Sequence, residues 1–172
     1  MATTNLSDYD VDSVPTGSGL RFGIVVSEWN PDITENLYEG AFEALIKHEV
    51  EERDIIRLNV PGSFELVYGA KLLIETTDID AVIVIGSVIR GETAHFDYVC
   101  SSVAQGVTDL NIAYHIPIIF GVLTDDNKRQ AIDRSGGAKG NKGTECAIAA
   151  IKMASVAAVM YDDFEEVAET AK

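Results

Sequence analysis

Basic residues, cysteine and long apolar runs are all scarce in this chain of 172 residues, and each scarcity excludes a class of protein. Only 13 Lys and Arg stand against 28 Asp and Glu, which gives a formal net charge of −15. A chain this acidic is a poor candidate for non-specific binding to nucleic acid or anionic membranes, because that affinity comes from clustered cations. Cys100 and Cys146 have no CxxC or Cys/His spacing, so the sequence predicts neither a zinc site nor a disulfide framework.

Targeting and membrane-spanning segments are not indicated. The first 19 residues have no basic start and no apolar run, and they carry Asp8, Asp10 and Asp12 instead of a signal peptide. The longest apolar stretch, residues 147–160, contains Lys152 and is shorter than the roughly 20 residues that span a bilayer. We therefore expect a cytoplasmic protein without membrane contact. A hydrophobic content of 47% supplies a real core and rules out disorder of the whole chain.

Four short apolar segments alternate with helical patterns from residue 21 onwards. Strands are predicted at 22–27, 55–60, 81–86 and 116–123, and helices at about 31–50, 64–75, 96–114, 127–134 and 144–164. Strands that are apolar throughout cannot leave one face of a sheet in water. The pattern therefore predicts an α/β three-layer sandwich of the flavodoxin-like class, with a four-stranded parallel sheet and helices on both faces. Residues 1–20 are predicted to be a flexible arm, 21–164 the single domain and 165–172 an acidic tail.

Ligands of open α/β sheets bind beyond the carboxyl ends of the strands, and here the loop 86–95 follows the most apolar strand. Free N–H groups at the start of the next helix favour a phosphate or carboxylate, although Thr93 could simply cap that helix. The loop lacks the motifs of nucleotide P-loops and dinucleotide folds, which favours a small phosphorylated substrate over ATP or NAD. His95 stands beside this anion site and could relay protons, the alternative being a capping or packing histidine.

A basic segment and two aromatic residues are further candidates for the functional site. Residues 128–142 contain five of the 13 basic residues and one acid. Arg134 could clasp a phosphate and Lys142 could stabilise a developing negative charge, the alternative being a solvated loop. Trp29 and Phe64 are expected on neighbouring loops, either to stack on a flat heterocycle or to anchor their loops. His48, among acids at a helix end, is expected on the solvated surface.

Several motifs in order resemble the lumazine synthase family, whose enzymes make 6,7-dimethyl-8-ribityllumazine in the penultimate step of riboflavin biosynthesis. The motifs are PGSFE at 61–65, GSVIRGETAHFD at 86–97, FGVL at 120–123 and GNKG at 140–143. The resemblance covers about residues 20–162. It implies a transferase that condenses 5-amino-6-(D-ribitylamino)uracil with 3,4-dihydroxy-2-butanone 4-phosphate to give the lumazine, phosphate and water, without a metal or another cofactor.

The resemblance also implies roles for individual residues. His95 would transfer protons, and Arg134 and Lys142 would be catalytic, with Phe120, Arg134 and Lys142 supplied by the neighbouring subunit. The implied substrate-binding residues are Trp29, Asn30, Ser63, Phe64, Glu65, Ser87, Val88, Ile89, Glu92, Thr93, Phe120, Arg134 and Lys142.

The resemblance implies that the protein is at least a pentamer. The short loop at 136–142 favours a homo-oligomer of 60 chains, an icosahedral shell, and riboflavin synthase is a candidate partner. Arm residues before Arg21 are candidates to pair with the sheet of a neighbour.

Two other classes stay open on the sequence alone. A flavin- or pteridine-binding module of the same fold would keep Trp29 and Phe64 but would not need His95, Thr93 or Arg134. A purely structural shell protein would need none of these five residues.

Overall fold

The computed structural model of the chain describes residue 5 and residues 7–170, with side chains as far as Tyr161. Residues 1–4 and 6 of the predicted arm and residues 171–172 of the predicted tail lie outside the described residues. So do the acidic side chains expected at 165–172.

Four strands form one parallel sheet in the order β2-β1-β3-β4. The strands are β1 (Phe22–Ser27), β2 (Ile55–Val60), β3 (Ala81–Ile89) and β4 (Ile118–Asp125). The helices are α1 (Pro31–Lys47), α2 (Leu66–Thr76), α3 (His95–Ala113), α4 (Lys128–Arg134) and α5 (Lys142–Thr170). An antiparallel hairpin of β5 (Ser135–Gly137) and β6 (Gly140–Asn141) precedes α5. The strand order is that of a flavodoxin-like sheet, so the predicted fold class is confirmed.

Each face of the sheet has its own core, because successive side chains of a strand point to opposite faces. Ile24 and Ile83 are fully buried on the face covered by α1 and α5. Val25 and Val84 are fully buried on the face covered by α2 and α3. The sheet is therefore the middle layer of three, and the central strands β1 and β3 are almost wholly apolar because both of their faces are covered.

Helix α5 packs along α1 through small side chains. Ala147, Ala150 and Ile151 are fully buried there, and small residues let two helix backbones approach closely. Within the described residues, the segment Lys142–Tyr161 is long and apolar enough, by length and composition, to cross a membrane. Burial against α1 and the sheet accounts for part of that composition, since 39% of the segment is buried.

The bounds of several elements differ from the predicted ones. Strand β3 continues past residue 86 to Ile89, because residues 87–89 pair with residues 123–125 of β4. Strand β4 begins at Ile118 rather than at 116, since Pro117 has no N–H group for a ladder. Helix α1 ends at Lys47 rather than near 50, and α5 runs from Lys142 to Thr170 rather than from 144 to about 164. The extension of β3 lies at the candidate site, and none of these differences changes the predicted topology.

The described part of the arm lies against the body of its own subunit. The Ser7 hydroxyl donates to the carbonyl of Asn141 at 2.9 Å, Val14 is buried, and the Tyr9 hydroxyl lies 3.1 Å from Nε2 of His48. His48 is only 6% exposed, so the prediction that it is a solvated surface residue is wrong. Burial lowers the pKa of His48, and the positive charge of the adjacent lysine lowers it further.

Candidate active site

A cavity of about 570 Å³ lies at the carboxyl ends of β1, β2 and β3. Pockets for small ligands occupy roughly 300 to 1,000 Å³, so this cavity has a suitable size. From β1 the chain moves outward to β2 and then returns to β3 on the other side of β1, which makes the β1/β3 boundary the switch point where such sheets bind ligands. The half-buried side chains of Val88 and Ile89, at the end of β3, line the cavity.

The first wall comes from the two residues between Glu28 and α1. Asn30 adopts a left-handed conformation with φ 59°, and Pro31 follows as the first residue of α1. The Asn30 side-chain amide donates to the carbonyl of Ser87 at 2.9 Å, which joins the ends of β1 and β3 across the switch point. Trp29 lines the cavity with 71% of its surface exposed, so most of its ring is free to stack on a ligand.

The second wall is the short 3₁₀ turn Ser63–Glu65, which follows β2. Ser63 is buried, Phe64 and Glu65 are exposed, and all three line the cavity. Gly86 allows this turn to lie close to β3, since a Cβ atom there would be 2.7 Å from the Ser63 hydroxyl oxygen. The Ser87 hydroxyl is buried and has no hydrogen-bond partner within the described part of the chain. Ser87 lines the same cavity, so this unpaired hydroxyl lies in the cavity wall.

The third wall is the loop at 90–94 with the start of α3, and it contributes Gly91, Thr93 and His95 to the cavity. Ala94 precedes α3 and gives it no side-chain cap. The interpretation that Thr93 caps this helix is supported only by a long hydrogen bond of 3.4 Å from the backbone N–H of His95 to Thr93 Oγ1. The loop and the first turn of α3 therefore keep N–H groups for an anion, beside an exposed imidazole.

Four predicted site residues lie outside the wall that the described residues form, namely Glu92, Phe120, Arg134 and Lys142. Phe120 is half-buried in β4 and packs towards α2 and α3. Arg134 Nη1 and Lys142 Nζ bind the same carboxylate, that of Glu145, at 2.7 and 3.1 Å. Burial raises the pKa of Glu145, but the hydrogen bonds from Arg134 and Lys142 outweigh it and hold the pKa below its ordinary value. Two cations are thus fixed by one acid outside the cavity of their own subunit.

Two further basic residues of this segment pair with carboxylates. Lys128 pairs with Asp32 at 2.6 Å, and Arg129 pairs with Asp133 at 3.2 Å. The partner of Lys128 lies far away in the sequence, so the sequence pattern alone overstates how much free positive charge this segment offers.

Four lining residues are absent from the predicted site residues, namely Gly62, Gly91, Phe96 and Val99. Helical periodicity could have identified Val99, because it follows His95 by four residues and shares its face of α3. In the described part of the chain, no group of three His, Cys, Asp or Glu side chains is arranged to hold a metal ion.

The three walls together suit a particular kind of chemistry. Exposed aromatic rings at Trp29 and Phe64 can stack on a flat heterocycle, and the Ser87 hydroxyl can fix its polar edge. The start of α3 can hold an anion, and His95 can move a proton between the two ligands. The cavity therefore offers a stacking region and an anion site side by side.

Comparisons with known proteins agree with this geometry. The sequence model of a family described as 6,7-dimethyl-8-ribityllumazine synthase matches residues 19–158. A 6,7-dimethyl-8-ribityllumazine synthase of Flavobacterium johnsoniae is 64% identical over 158 residues, which cover 91% of this chain and 83% of the relative. The enzyme of the same name from Parabacteroides distasonis is 58% identical over 160 residues, covering 92% of this chain and 100% of the relative. That of Porphyromonas gingivalis is 54% identical over 158 residues, covering 91% and 98%.

The segment matched by the family includes all three walls of the cavity and both basic residues outside it. The chain therefore belongs to the 6,7-dimethyl-8-ribityllumazine synthase family, and it is an enzyme of riboflavin biosynthesis.

Proposed function

We propose that this cavity holds 5-amino-6-(D-ribitylamino)uracil and 3,4-dihydroxy-2-butanone 4-phosphate side by side and condenses them to 6,7-dimethyl-8-ribityllumazine. One observation carries the proposal: the switch point brings two exposed aromatic rings, an unpartnered buried hydroxyl, an imidazole and an uncapped helix start around one cavity of about 570 Å³. Each of these groups has a counterpart in the two substrates.

The pyrimidine is proposed to lie between the first two walls. Trp29 stacks on its ring, and Phe64 closes over it, since both side chains line the cavity and are largely exposed. Ser87 hydrogen-bonds the ring edge with the hydroxyl that has no partner among the described residues. Glu65, which ends the 3₁₀ turn, binds the ribityl hydroxyls, because a carboxylate can accept from two of them at once. Asn30 holds the first wall in place through its hydrogen bond to β3.

The phosphate of the second substrate is proposed to bind the N–H groups of residues 92 and 93 at the start of α3. This location is supported by the missing side-chain cap of α3 and by the helix dipole, both of which favour an anion. His95 then lies between the phosphate and the pyrimidine. It transfers protons as the 5-amino group attacks the ketone and as the phosphate leaves.

Phe120, Arg134 and Lys142 are proposed to reach the cavity of a neighbouring subunit. Their position outside the cavity of their own subunit supports this arrangement, because a phosphate dianion needs more positive charge than one wall of N–H groups supplies. Glu145 fixes Arg134 and Lys142 as a pair, so the pair would enter the neighbouring site already oriented. Arg134 clasps the phosphate, and Lys142 stabilises negative charge as the phosphate leaves.

The reaction follows from these positions. The 5-amino nitrogen adds to the ketone carbon and loses water to form an imine. The phosphate is then eliminated, and the ribitylamino nitrogen closes the second ring with loss of water. Holding the two substrates together contributes roughly 7 to 11 kcal/mol to the lowering of the barrier, whereas proton transfer by His95 adds about 10²- to 10⁴-fold.

The assembly is proposed to be a pentamer at minimum and a shell of 60 chains at most, located in the cytoplasm, with riboflavin synthase as a candidate partner. Exposed apolar side chains on α3 and α5, such as Tyr98, Ile112, Val156 and Val159, support an oligomer because isolated subunits rarely expose so many. Light scattering separates the two states, since they have five and sixty times the chain mass of 18.6 kDa.

Mixed assemblies test both the reaction and the shared site. His95→Ala and Arg134→Ala chains are co-expressed with different tags, mixed particles are purified, and lumazine fluorescence is followed after both substrates are added. If each site combines His95 of one subunit with Arg134 of the next, random assembly restores about a quarter of the sites to full composition. If both residues served the same subunit, the mixture would be no more active than the two variants alone, and the shared site would be refuted.

The control for Arg134→Ala is Arg129→Ala, which removes an exposed arginine that pairs with Asp133 on the same helix. Its activity is expected to equal that of the unmodified protein. The family match identifies the chain as an enzyme, and the same fluorescence assay checks this against the two other classes that the sequence left open. A flavin- or pteridine-binding module would bind the product without forming it, and a structural shell protein would do neither.

A further inference from the structure

Arg90 joins three parts of the molecule around the loop that opens α3. Its backbone N–H donates to the carbonyl of Asp125 at 2.9 Å, which extends the ladder between β3 and β4 by one residue. Its side chain then reaches past the loop in two directions. Nε lies 2.9 Å from Asp126, just after β4, and Nη1 lies 3.0 Å from Asp97, in the first turn of α3.

The same guanidinium also covers one wall of the cavity. Its central carbon lies 4.1 Å from the centre of the Phe96 ring, and Phe96 lines the cavity. Arg90 is not among the residues that line the cavity within the described part of the chain. It therefore contacts the wall from behind.

These contacts span a loop that has few side-chain hydrogen bonds of its own. Between Arg90 and Asp97 the loop has one long side-chain hydrogen bond, from the His95 N–H to Thr93 Oγ1, and α3 has no side-chain cap. The side chain of Arg90 therefore connects the two ends of the loop, because Arg90 lies just before the loop and binds Asp97 just after it. Loss of that side chain would free the loop without removing any group that faces the cavity.

Arg90 also affects the charge beside the phosphate subsite. Asp97 and Asp126 are both largely exposed, and one guanidinium lies between their carboxylates. Exposed ion pairs are individually weak. Here, however, one planar guanidinium contacts two carboxylates and an aromatic ring, and these three contacts together fix its orientation. Without it, two uncompensated carboxylates would lie beside the loop that is proposed to bind the anion.

We propose that Arg90 is a positioning residue for the butanone phosphate: it fixes the N–H groups of the loop at 91–94 and screens Asp97 and Asp126, without touching the substrate. The proposal rests on the proposed function, in which this loop binds the phosphate.

The test uses the assembled enzyme with Arg90→Ala and Arg90→Lys, and Arg53→Ala as the matched control. Arg53 is an exposed arginine that also pairs with two carboxylates, but it lies at the amino end of β2, far from the carboxyl ends that form the cavity. Two quantities are measured: the KM for each substrate with kcat, and hydrogen exchange of the backbone amides at 91–98 in the ligand-free enzyme.

For Arg90→Ala we expect faster exchange at 91–98 and a KM for the butanone phosphate raised about three- to tenfold, with the KM for the pyrimidine and kcat changed less than about twofold. Arg90→Lys should restore the KM only in part, because an ammonium group keeps the charge but cannot bind both carboxylates and cover the ring. Arg53→Ala should change neither quantity.

Unchanged exchange in Arg90→Ala would overturn the proposal, and so would full recovery of the KM by lysine, since charge alone would then suffice. Faster exchange with an unchanged KM for the butanone phosphate would also overturn it. Inhibition of the unmodified enzyme by inorganic phosphate is measured as well. This measurement distinguishes a failure of the proposal about Arg90 from a failure of the proposed function. If phosphate does not compete with the butanone phosphate, the phosphate subsite itself is wrongly placed.

Discussion

Gly143 lies in the first turn of α5, where this helix meets α1, and replacing it by alanine should strongly destabilise the protein. A Cβ atom at this position would overlap the carbonyl oxygen of Leu37 and lie 2.7 Å from its carbonyl carbon. Both atoms belong to the backbone of α1, so no side-chain rotation can relieve the overlap. The two helices would have to separate by about 1.5 Å to restore normal contact distances.

That separation would break two hydrogen bonds that join α1 to the start of α5. Asn141, just before α5, donates to the carbonyl of Asn36 at 2.8 Å, and Thr144 donates to the carbonyl of Gly40 at 3.0 Å. Overpacking costs about 1 to 3 kcal/mol, and each lost hydrogen bond about 0.5 to 1.5 kcal/mol. We therefore expect Gly143→Ala to lower the free energy of unfolding by about 3 to 5 kcal/mol.

The assay is thermal unfolding at fixed protein concentration, because association changes the apparent stability of an oligomer. For a chain of this length the expected loss corresponds to a Tm lowered by about 6 to 20 °C. Gly91→Ala is the matched control for stability, since a Cβ atom there meets no atom within 4 Å. It should shift the Tm by no more than about 3 °C. A Tm of Gly143→Ala equal to that of the unmodified protein would refute the assigned close packing of α1 and α5.

Three further predictions concern the site and the arm. His95→Ala should lower turnover by about 10²- to 10⁴-fold yet leave measurable lumazine formation, because the substrates are still held together; undiminished turnover would remove His95 from the mechanism. Trp29→Ala should raise the KM for the pyrimidine about tenfold, whereas Trp29→Phe, which keeps an aromatic face, should stay within about threefold; equal effects would argue against stacking. Burial lowers the pKa of His48 below its ordinary value of 6.5, so the unfolded chain binds more protons and stability falls as the pH drops through that value. Between about pH 7 and 5 the Tm of His48→Gln should therefore fall less than that of the unmodified protein. If the Tm of both proteins falls equally over this range, burial of His48 is not the cause of the pH dependence.

The sequence predicted most accurately those features of the fold that depend on the local pattern of residues. Strands β1 and β2 begin and end at the predicted residues, because each is a short segment rich in β-branched residues that is bounded by polar or Pro-Gly residues. The three walls of the cavity were also predictable, since the topology alone brings the carboxyl ends of β1, β2 and β3 together.

Contacts between residues far apart in the sequence could not be predicted in this way. His48 looked solvated because only its acidic neighbours in the sequence were visible, whereas the arm that covers it begins about 40 residues earlier. The extension of β3 to Ile89 depends on a register with β4, and the pairing of Lys128 depends on Asp32 at the start of α1. Each of these features is decided by tertiary structure rather than by local preference.

The packing of α5 on α1 also determines when the protein can fold during its synthesis. The buried residues Leu37, Ala41 and Ala44 of α1 share one core with Ala147, Ile151 and Ala154 of α5, which leave the ribosome about a hundred residues later. Until then α1 alone covers the sheet face that it shares with α5, so part of the apolar surface of the nascent chain stays exposed. The last helix to be made is therefore the one that completes this core.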